Sequence, residues 1–361
     1  MGLERLPVDS QSGPWMMARV TSVAPPAISE IRAWPRHMSY SQLSNLHPSY
    51  RYSCARRAAY RYIAHLPEER NWSLALGTAV DAGANLYWSF RISGVDVKEA
   101  EDDGWKAADA EITHEVQTYP ELTADRDPEI VDKYRSLAHF CLAELWERMR
   151  PLTGAAVQKH QTFDLSLGDV TVGVAGYSDL VTADGDVWDL KVSGSPRWTM
   201  VPDPDWVDTL AWHEGMRERN PETGRMRKVP QPKAPELEQW DAEYLAEKKD
   251  QLLSYFLARN DEAERKGLRI DPPLSGRLHL VVIYANLNLK HPQLHETVID
   301  VDWADAQPLL IRYGQAVRMV QARRFPLRPG RHCAWCSFLD RCREDQAARG
   351  LSFADSIDVP F

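Results

Sequence analysis

The sequence predicts an α/β protein, a mixed sheet flanked by helices and preceded by a helical segment. Three features predict it. Helical periodicity runs from Ser39 to Met149, short alternating runs rich in β-branched residues follow Pro151, and long amphipathic helices then return around two more strands.

The elements follow in order. Residues 1–36 are rich in Pro and Ser and read as a loose arm. SYSQLSNL, CARRAAYRYIAHL and LALGTAVDAGANLYWSF read as helices, followed by a helix pair near Val97–Gln117 and Asp127–Met149. Pro151 and Gly154 break the pattern. VQKHQTFDLSL, DVTVGVAGYSDLVTA and GDVWDLKVS then read as a meander of strands, with hairpin signals at Leu167-Gly168-Asp169 and Asp184-Gly185-Asp186. Residues 195–235 form a Pro- and Trp-rich insertion with little expected regular structure. A long helix is expected over PELEQWDAEYLAEKKDQLLSYFLARNDEAERKG, with Leu245, Leu252, Tyr255 and Phe256 on its apolar face. LSGRLHLVVIYANL and HETVIDV read as paired strands, and WADAQPLLIRYGQAVRMVQARR as the last long helix, striped by Leu309, Tyr313, Val317 and Val320. One domain over 37–345 with a tail at 346–361 accommodates this order.

With 361 residues, 43% hydrophobic and 26% charged, the chain has the composition of a soluble globular protein. Its apolar runs fall short of the ~20 residues a spanning helix needs, so no membrane partner is expected. The N-terminus lacks the apolar stretch of a signal peptide, and a cytoplasmic location is expected. There, five cysteines argue against a disulfide framework. A net charge of −9 argues against binding nucleic acid through bulk charge. Basic residues concentrate instead around cysteines: Arg51, Arg56, Arg57 and Arg61 near Cys54, and Arg318, Arg323, Arg324, Arg328, Arg331, Arg341 and Arg343 near the others. With Tyr50, Tyr52, Tyr60 and Tyr62 they suit a DNA path of phosphate contacts and stacking surfaces.

The chemistry concentrates in the meander. Asp189 and Lys191, two apart on one strand, share a face, and a hairpin can bring Asp179 beside them. Clustered carboxylates repel unless protonated or bridged by a cation, and a hard divalent ion such as Mg2+ or Mn2+ suits their oxygens. Alone, this pattern also fits an exposed hairpin with an ion pair. Gln251 and Tyr255 share a face of the long helix, and GTAVD sets Gly77 and Asp81 one helical turn apart in apolar surroundings. Cys333-x2-Cys336-x5-Cys342, with the distant Cys54, suits either zinc or an iron–sulfur cluster. Cys141, on a helix, reads as an ordinary buried thiol.

Together, SYSQLSNL before Cys54, GTAVD, GYSDLV, WDLKVS, QLLSY and CAWCSFLDRC resemble the iron–sulfur branch of the RecB-like PD-(D/E)XK nuclease superfamily. That branch includes the AddB nuclease domain and CRISPR-associated RecB-like exonucleases with phage relatives. The resemblance runs from about Ser39 to Cys342. It implies a restriction-endonuclease-like mixed sheet and Mg2+- or Mn2+-dependent hydrolysis of DNA, exonucleolytic at single-stranded DNA or ends. It implies Asp179, Asp189 and the Leu190 carbonyl as metal ligands, Lys191 as the catalytic lysine, and Gln251 and Tyr255 as an accessory motif. It further implies a 4Fe-4S cluster on Cys54, Cys333, Cys336 and Cys342, stapling the two ends of the domain, with zinc as the alternative. In two places the chain departs from the family. Asp81 stands where a histidine ligand is usual, and Lys159-His160-Gln161 replaces an acidic residue in the preceding strand. The first departure leaves a second reading open, a non-catalytic DNA-binding or adaptor protein that kept the fold. Finally, ADSIDVPF resembles the acidic-apolar tip of bacterial single-stranded-DNA-binding proteins, which implies a recombination or repair partner at the tail.

Overall fold

The computed structural model describes residues 37–347 apart from 51–52, 124–126, 128, 153, 168–169, 203–216, 229–235, 268–275, 329–331 and 334–335. The expected N-terminal arm and the partner-binding tip lie outside the described residues.

A short strand, β1 (His37–Ser39), leads into α1 (Tyr40–Leu46). Ser39 caps this helix through its hydroxyl on the Gln42 N–H, and the Gln42 side chain returns to the Ser39 N–H. α2 (Ala55–Ala58) continues into a π-helical turn, Ala59–Ile63. Asn71 then caps α3 (Trp72–Ile92), Asp96 caps α4 (Val97–Thr118), and α5 (Ile130–Met149) completes the helical half. The meander follows as β2 (Gly154–Leu167), β3 (Val170–Thr182) and β4 (Val187–Ser193). After the insertion come α6 (Ala242–Arg265), the strands Gly276–Tyr284 and Gln293–Val301, α7 (Trp303–Gln321) and α8 (Leu339–Ala347).

The main sheet is mixed. β2 pairs antiparallel with β3 along nearly its whole length. On the other edge of β3, β1 pairs in parallel with Gly173–Ala175 and β4 antiparallel with Leu180 and Val181. β4 pairs in parallel with Gly276–Tyr284, which pairs antiparallel with Gln293–Val301. Along Gly276–Tyr284, Leu278, Leu280 and Val282 join a core under α1, α6 and α7, and Val281 and Ile283 join a second core under α3, α4 and α5. Alternation with a period of two therefore builds a three-layer sandwich.

The insertion is more ordered than its composition suggests. It holds β5 (Trp198–Pro202), β6 (Arg217–Arg219), β7 (Met226–Lys228) and β8 (Glu236–Trp240), so that Gly276–Tyr284 is β9 and Gln293–Val301 is β10. β5 pairs with β8 and β6 with β7. The expected long helix therefore begins after Trp240, not at Pro235. Aromatic packing overrides helix propensity here: Trp198 lies 5.3 Å from Trp240 and 4.0 Å from His295 of β10, ring to ring. Asp241 then starts the helix by accepting from the Glu243 and Tyr244 N–H groups. At the other end, α8 runs to Ala347, past the expected domain limit at 345.

Candidate active site

β1 and β4 share one edge of β3 but leave Gly176–Ser178 and Asp179 unpaired between them. Backbone groups in such a gap need other partners. Asp179 Oδ2 accepts the Leu190 N–H at 2.6 Å, and the Tyr177 carbonyl accepts the Tyr255 hydroxyl at 2.8 Å. Gly176 permits the close approach, because a Cβ there would stand 2.5 Å from the Tyr40 ring, which packs 5.1 Å from Tyr255. The fork between β3 and β4 is thus wedged open by α6 and lined by polar groups.

Every carboxylate expected at the site converges here. Lys191 Nζ lies 2.8 Å from Asp189 Oδ2 and donates to the Leu190 carbonyl at 3.0 Å. One ammonium therefore contacts two of the proposed metal ligands. Gln251 Nε2 lies 3.3 Å from Asp189 Oδ1 and 3.1 Å from the Tyr255 hydroxyl, so the helix pair braces the carboxylate. Burial pushes the Asp179 carboxyl up to about 7, with the charges of Asp189 and Asp81 adding to the rise and Lys191 opposing it. Burial also raises the Asp81 carboxyl, opposed by Lys191 and by a hydrogen bond to Asn85. Three carboxylates and one carbonyl facing a single lysine make an oxygen-rich, electron-rich cavity, which suits a hard divalent cation. Among the described residues, no three acidic, histidine or cysteine side chains already stand as a metal shell. The ammonium sits against Asp189 and the Leu190 carbonyl instead.

Two neighbours escaped the sequence reading. Gln158 Nε2 donates to Asp179 Oδ1 at 3.3 Å from a left-handed backbone, φ +45°, that a non-glycine residue adopts at a cost of order 1–3 kcal/mol. It is Gln158, rather than Lys159, His160 or Gln161, that faces the site. Lys159 pairs with Glu262 at 3.0 Å, His160 lies 4.8 Å from the Tyr177 ring, and Gln161 is buried. Nothing in the sequence marks this irregular strand position. Asn85 follows Asp81 by one helical turn, a spacing that could have revealed it, and its buried Oδ1 has no partner among the described residues.

The cysteine knot is a second assembly. Burial pushes the Cys54 thiol up, yet His332 and the backbone N–H groups of Arg57, Arg328 and Arg56 together hold it at about 7. Burial pushes Cys342 up to about 12, and Cys54, Cys336 and Cys333 add to that rise, so the four thiols lie within reach of one another's charge. No arranged metal shell is present among the described residues, so the expected iron–sulfur staple is not shown. Protein contacts make the tie by themselves. Arg328 donates to the Tyr50 carbonyl at 2.8 Å and to Ser53 Oγ at 3.2 Å, and the Tyr60 hydroxyl donates to Asp345 at 2.5 Å. Cys141 is buried within α5, with its thiol pushed up to about 12 by that burial.

Part of the expected DNA path around these cysteines is taken up inside the fold, while Arg318, Arg323, Arg324 and Arg328 are exposed. Tyr50, Tyr60 and Arg56 are buried, Arg57 and Arg61 pair with Glu68, and Arg341 and Arg343 pair with acids on α8. These side chains close the knot, because their aromatic surface and charges find partners inside it. Arg51, Tyr52 and Arg331 lie outside the described residues. No helix among the described residues is long and apolar enough to cross a membrane.

No curated protein matches the chain at a significant level. Among solved structures it is similar to the protein SSO0001, at 10% identity and a TM-score of 0.34, with 86% of this chain and 87% of the other covered. It is also similar to a protein of Eubacterium rectale provisionally named an exonuclease, at 14% identity and a TM-score of 0.40, with coverage of 86% and 88%. Likenesses this distant add nothing to the reading of the site. The family model covers the site itself: residues 37–205, which carry Asp81, Asp179, Asp189 and Lys191, match the model of the PD-(D/E)XK nuclease superfamily.

Proposed function

We propose that this chain is a Mg2+- or Mn2+-dependent deoxyribonuclease that hydrolyses phosphodiester bonds of single-stranded DNA or DNA ends exonucleolytically. The observation that carries the reading is the convergence of Asp81, Asp179 and Asp189 on Lys191 at the β3–β4 fork, within the matched nuclease domain.

Asp81, Asp179, Asp189 and the Leu190 carbonyl would hold the ion. When bound, such an ion supplies an acidified water and charge stabilisation at the phosphate. Gln251 fixes the orientation of Asp189, and the Leu190 N–H fixes that of Asp179. The Lys191 ammonium leans on Asp189 and the Leu190 carbonyl and has the reach to turn toward negative charge developing on a phosphate oxygen. Asp81 in place of histidine makes an all-oxygen donor set, which favours Mg2+. The four cysteines fit a thiolate-bound group, since Cys54 is already poised to lose its proton; they would hold a 4Fe-4S cluster, or zinc, in a structural role.

The test is incubation of anaerobically purified protein with end-labelled single- and double-stranded DNA in Mg2+, Mn2+ or EDTA. Metal-dependent shortening that Lys191→Ala abolishes is expected. Binding of DNA ends without any shortening would establish the adaptor reading instead.

A further inference from the structure

The nuclease reading leaves one face of α6 unexplained. Tyr244, Lys248, Gln251 and Tyr255 follow one another at intervals of four, three and four residues, so they form a single stripe along the helix. At a rise of 1.5 Å per residue, Tyr244 stands roughly 10 Å along the axis from Gln251. The lower half of the stripe is the bracing pair beneath Asp189. The upper half leads away from it, still inside the same field. Burial pushes the Tyr244 hydroxyl up to about 12, and the charges of Lys191 and Asp189 both act on it.

Opposite this stripe stands Arg197, in the short link between β4 and β5. Its guanidinium lies 5.0 Å from the centre of the Tyr244 ring, and Lys248 Nζ lies 5.4 Å from the same centre. The link is held firmly: Arg197 Nε donates to Ser193 Oγ at 3.1 Å, and the Arg197 carbonyl accepts the Asp241 N–H at 2.8 Å. Other arginines in the fold, such as Arg57, Arg61 and Arg312, are matched to carboxylates. Among the described residues, Arg197 has a hydroxyl partner and no carboxylate partner, and the acid beside Lys248 is its own neighbour Glu247. Two cations on one aromatic ring, beside a cluster of acids they do not neutralise, form a site for an anion.

We propose that this stripe is the track of a single DNA strand, in which Arg197, Lys248 and Tyr244 hold the phosphate next to the one cleaved. The proposal rests on the nuclease reading and adds the subsite that reading lacks. An acidic chain, net −9, needs such a local grip to seat a polyanion over three carboxylates.

The test uses single-stranded oligonucleotides carrying one neutral methylphosphonate linkage, stepped across the cut site. In the wild-type protein a linkage adjacent to the cut raises KM. Arg197→Gln raises KM for the unmodified strand about ten-fold, the size of one lost charge-assisted contact, and lowers kcat much less. It also reduces the slope of log affinity against log salt by roughly 0.7. At the adjacent linkage the methylphosphonate then adds no further loss, and Arg197→Lys recovers most of the affinity. Lys248→Gln, on the facing helix α6, repeats the pattern independently of any folding defect in the Arg197 variant. An unchanged KM and salt slope in both variants, or a methylphosphonate penalty undiminished by them, overturns the proposal. Should the wild-type protein cleave nothing, the nuclease reading falls, and the same salt slopes measured by fluorescence anisotropy in Ca2+ decide the track separately.

Discussion

Replacing Lys191 with methionine keeps the length of the side chain and removes the ammonium that stands against Asp189. The Asp189 side chain is 1% exposed and that of Lys191 28%, so the pair is only partly dry. At 2.8 Å and an effective dielectric constant near 20, their attraction is about 6 kcal/mol before solvation is counted. Rehydration of the half-open lysine offsets about half of this, leaving roughly 3 kcal/mol, the lower end for breaking a buried pair. In a chain of this size that lowers Tm by roughly 4 °C. The loss should be largest in EDTA at pH 8, where the carboxylates are left facing one another. It should shrink at pH 5, where Asp179 takes up a proton, and shrink again in Mg2+, which replaces the missing charge. Thermal denaturation under these conditions, paired with the end-labelled cleavage assay, measures both effects. A Tm loss indifferent to pH and Mg2+, or cleavage that survives the substitution, would refute the reasoning.

Three further outcomes follow from the geometry. Asp179 is raised from 3.8 to about 7, so the fold binds its proton more tightly than the unfolded chain does; metal-free protein should lose stability as pH rises from about 4 to about 7, on the order of 4 kcal/mol at most, and Mg2+ should restore it, as urea titrations at both ends of that window will show. Gly176→Ala drives a methyl into the Tyr40 ring and through it toward Tyr255; a stability loss of about 1–3 kcal/mol with a fall in kcat is expected, and unchanged kinetics in the folded variant would deny Tyr255 its bracing role. In anaerobically purified protein, iron and the broad visible absorbance should be lost in Cys54→Ser and Cys342→Ser and kept in Cys141→Ser; zinc in place of iron would make the knot a zinc site.

Much of this arrangement is legible in the sequence because its signals are local. The period-two alternation of the meander places Asp189 and Lys191 on one face, and the four-residue interval between Gln251 and Tyr255 places both toward Asp189. SYSQ writes out its own cap. What stays hidden depends on partners far along the chain. The insertion's strands form because Trp198 finds Trp240 and His295, a match that no window of neighbouring residues contains. Gln158 reaches Asp179 through an irregular backbone that its residue type disfavours. The arginines near the cysteines look like a nucleic-acid surface by composition, yet tertiary contacts commit several of them to Glu68, Asp345 and backbone carbonyls.

The nest around Cys54 has a temporal side. His332 and the backbone N–H of Arg328, two of the groups that favour its thiolate, lie about 275 residues further along the chain. At 5–20 residues per second a ribosome needs roughly 15–60 s to make that stretch. Through that interval Cys54 lacks both of these partners. The β3–β4 fork, by contrast, draws on residues 81–255 and has all its carboxylates before the nest closes. The nest therefore closes late, after the residues of the fork have been made.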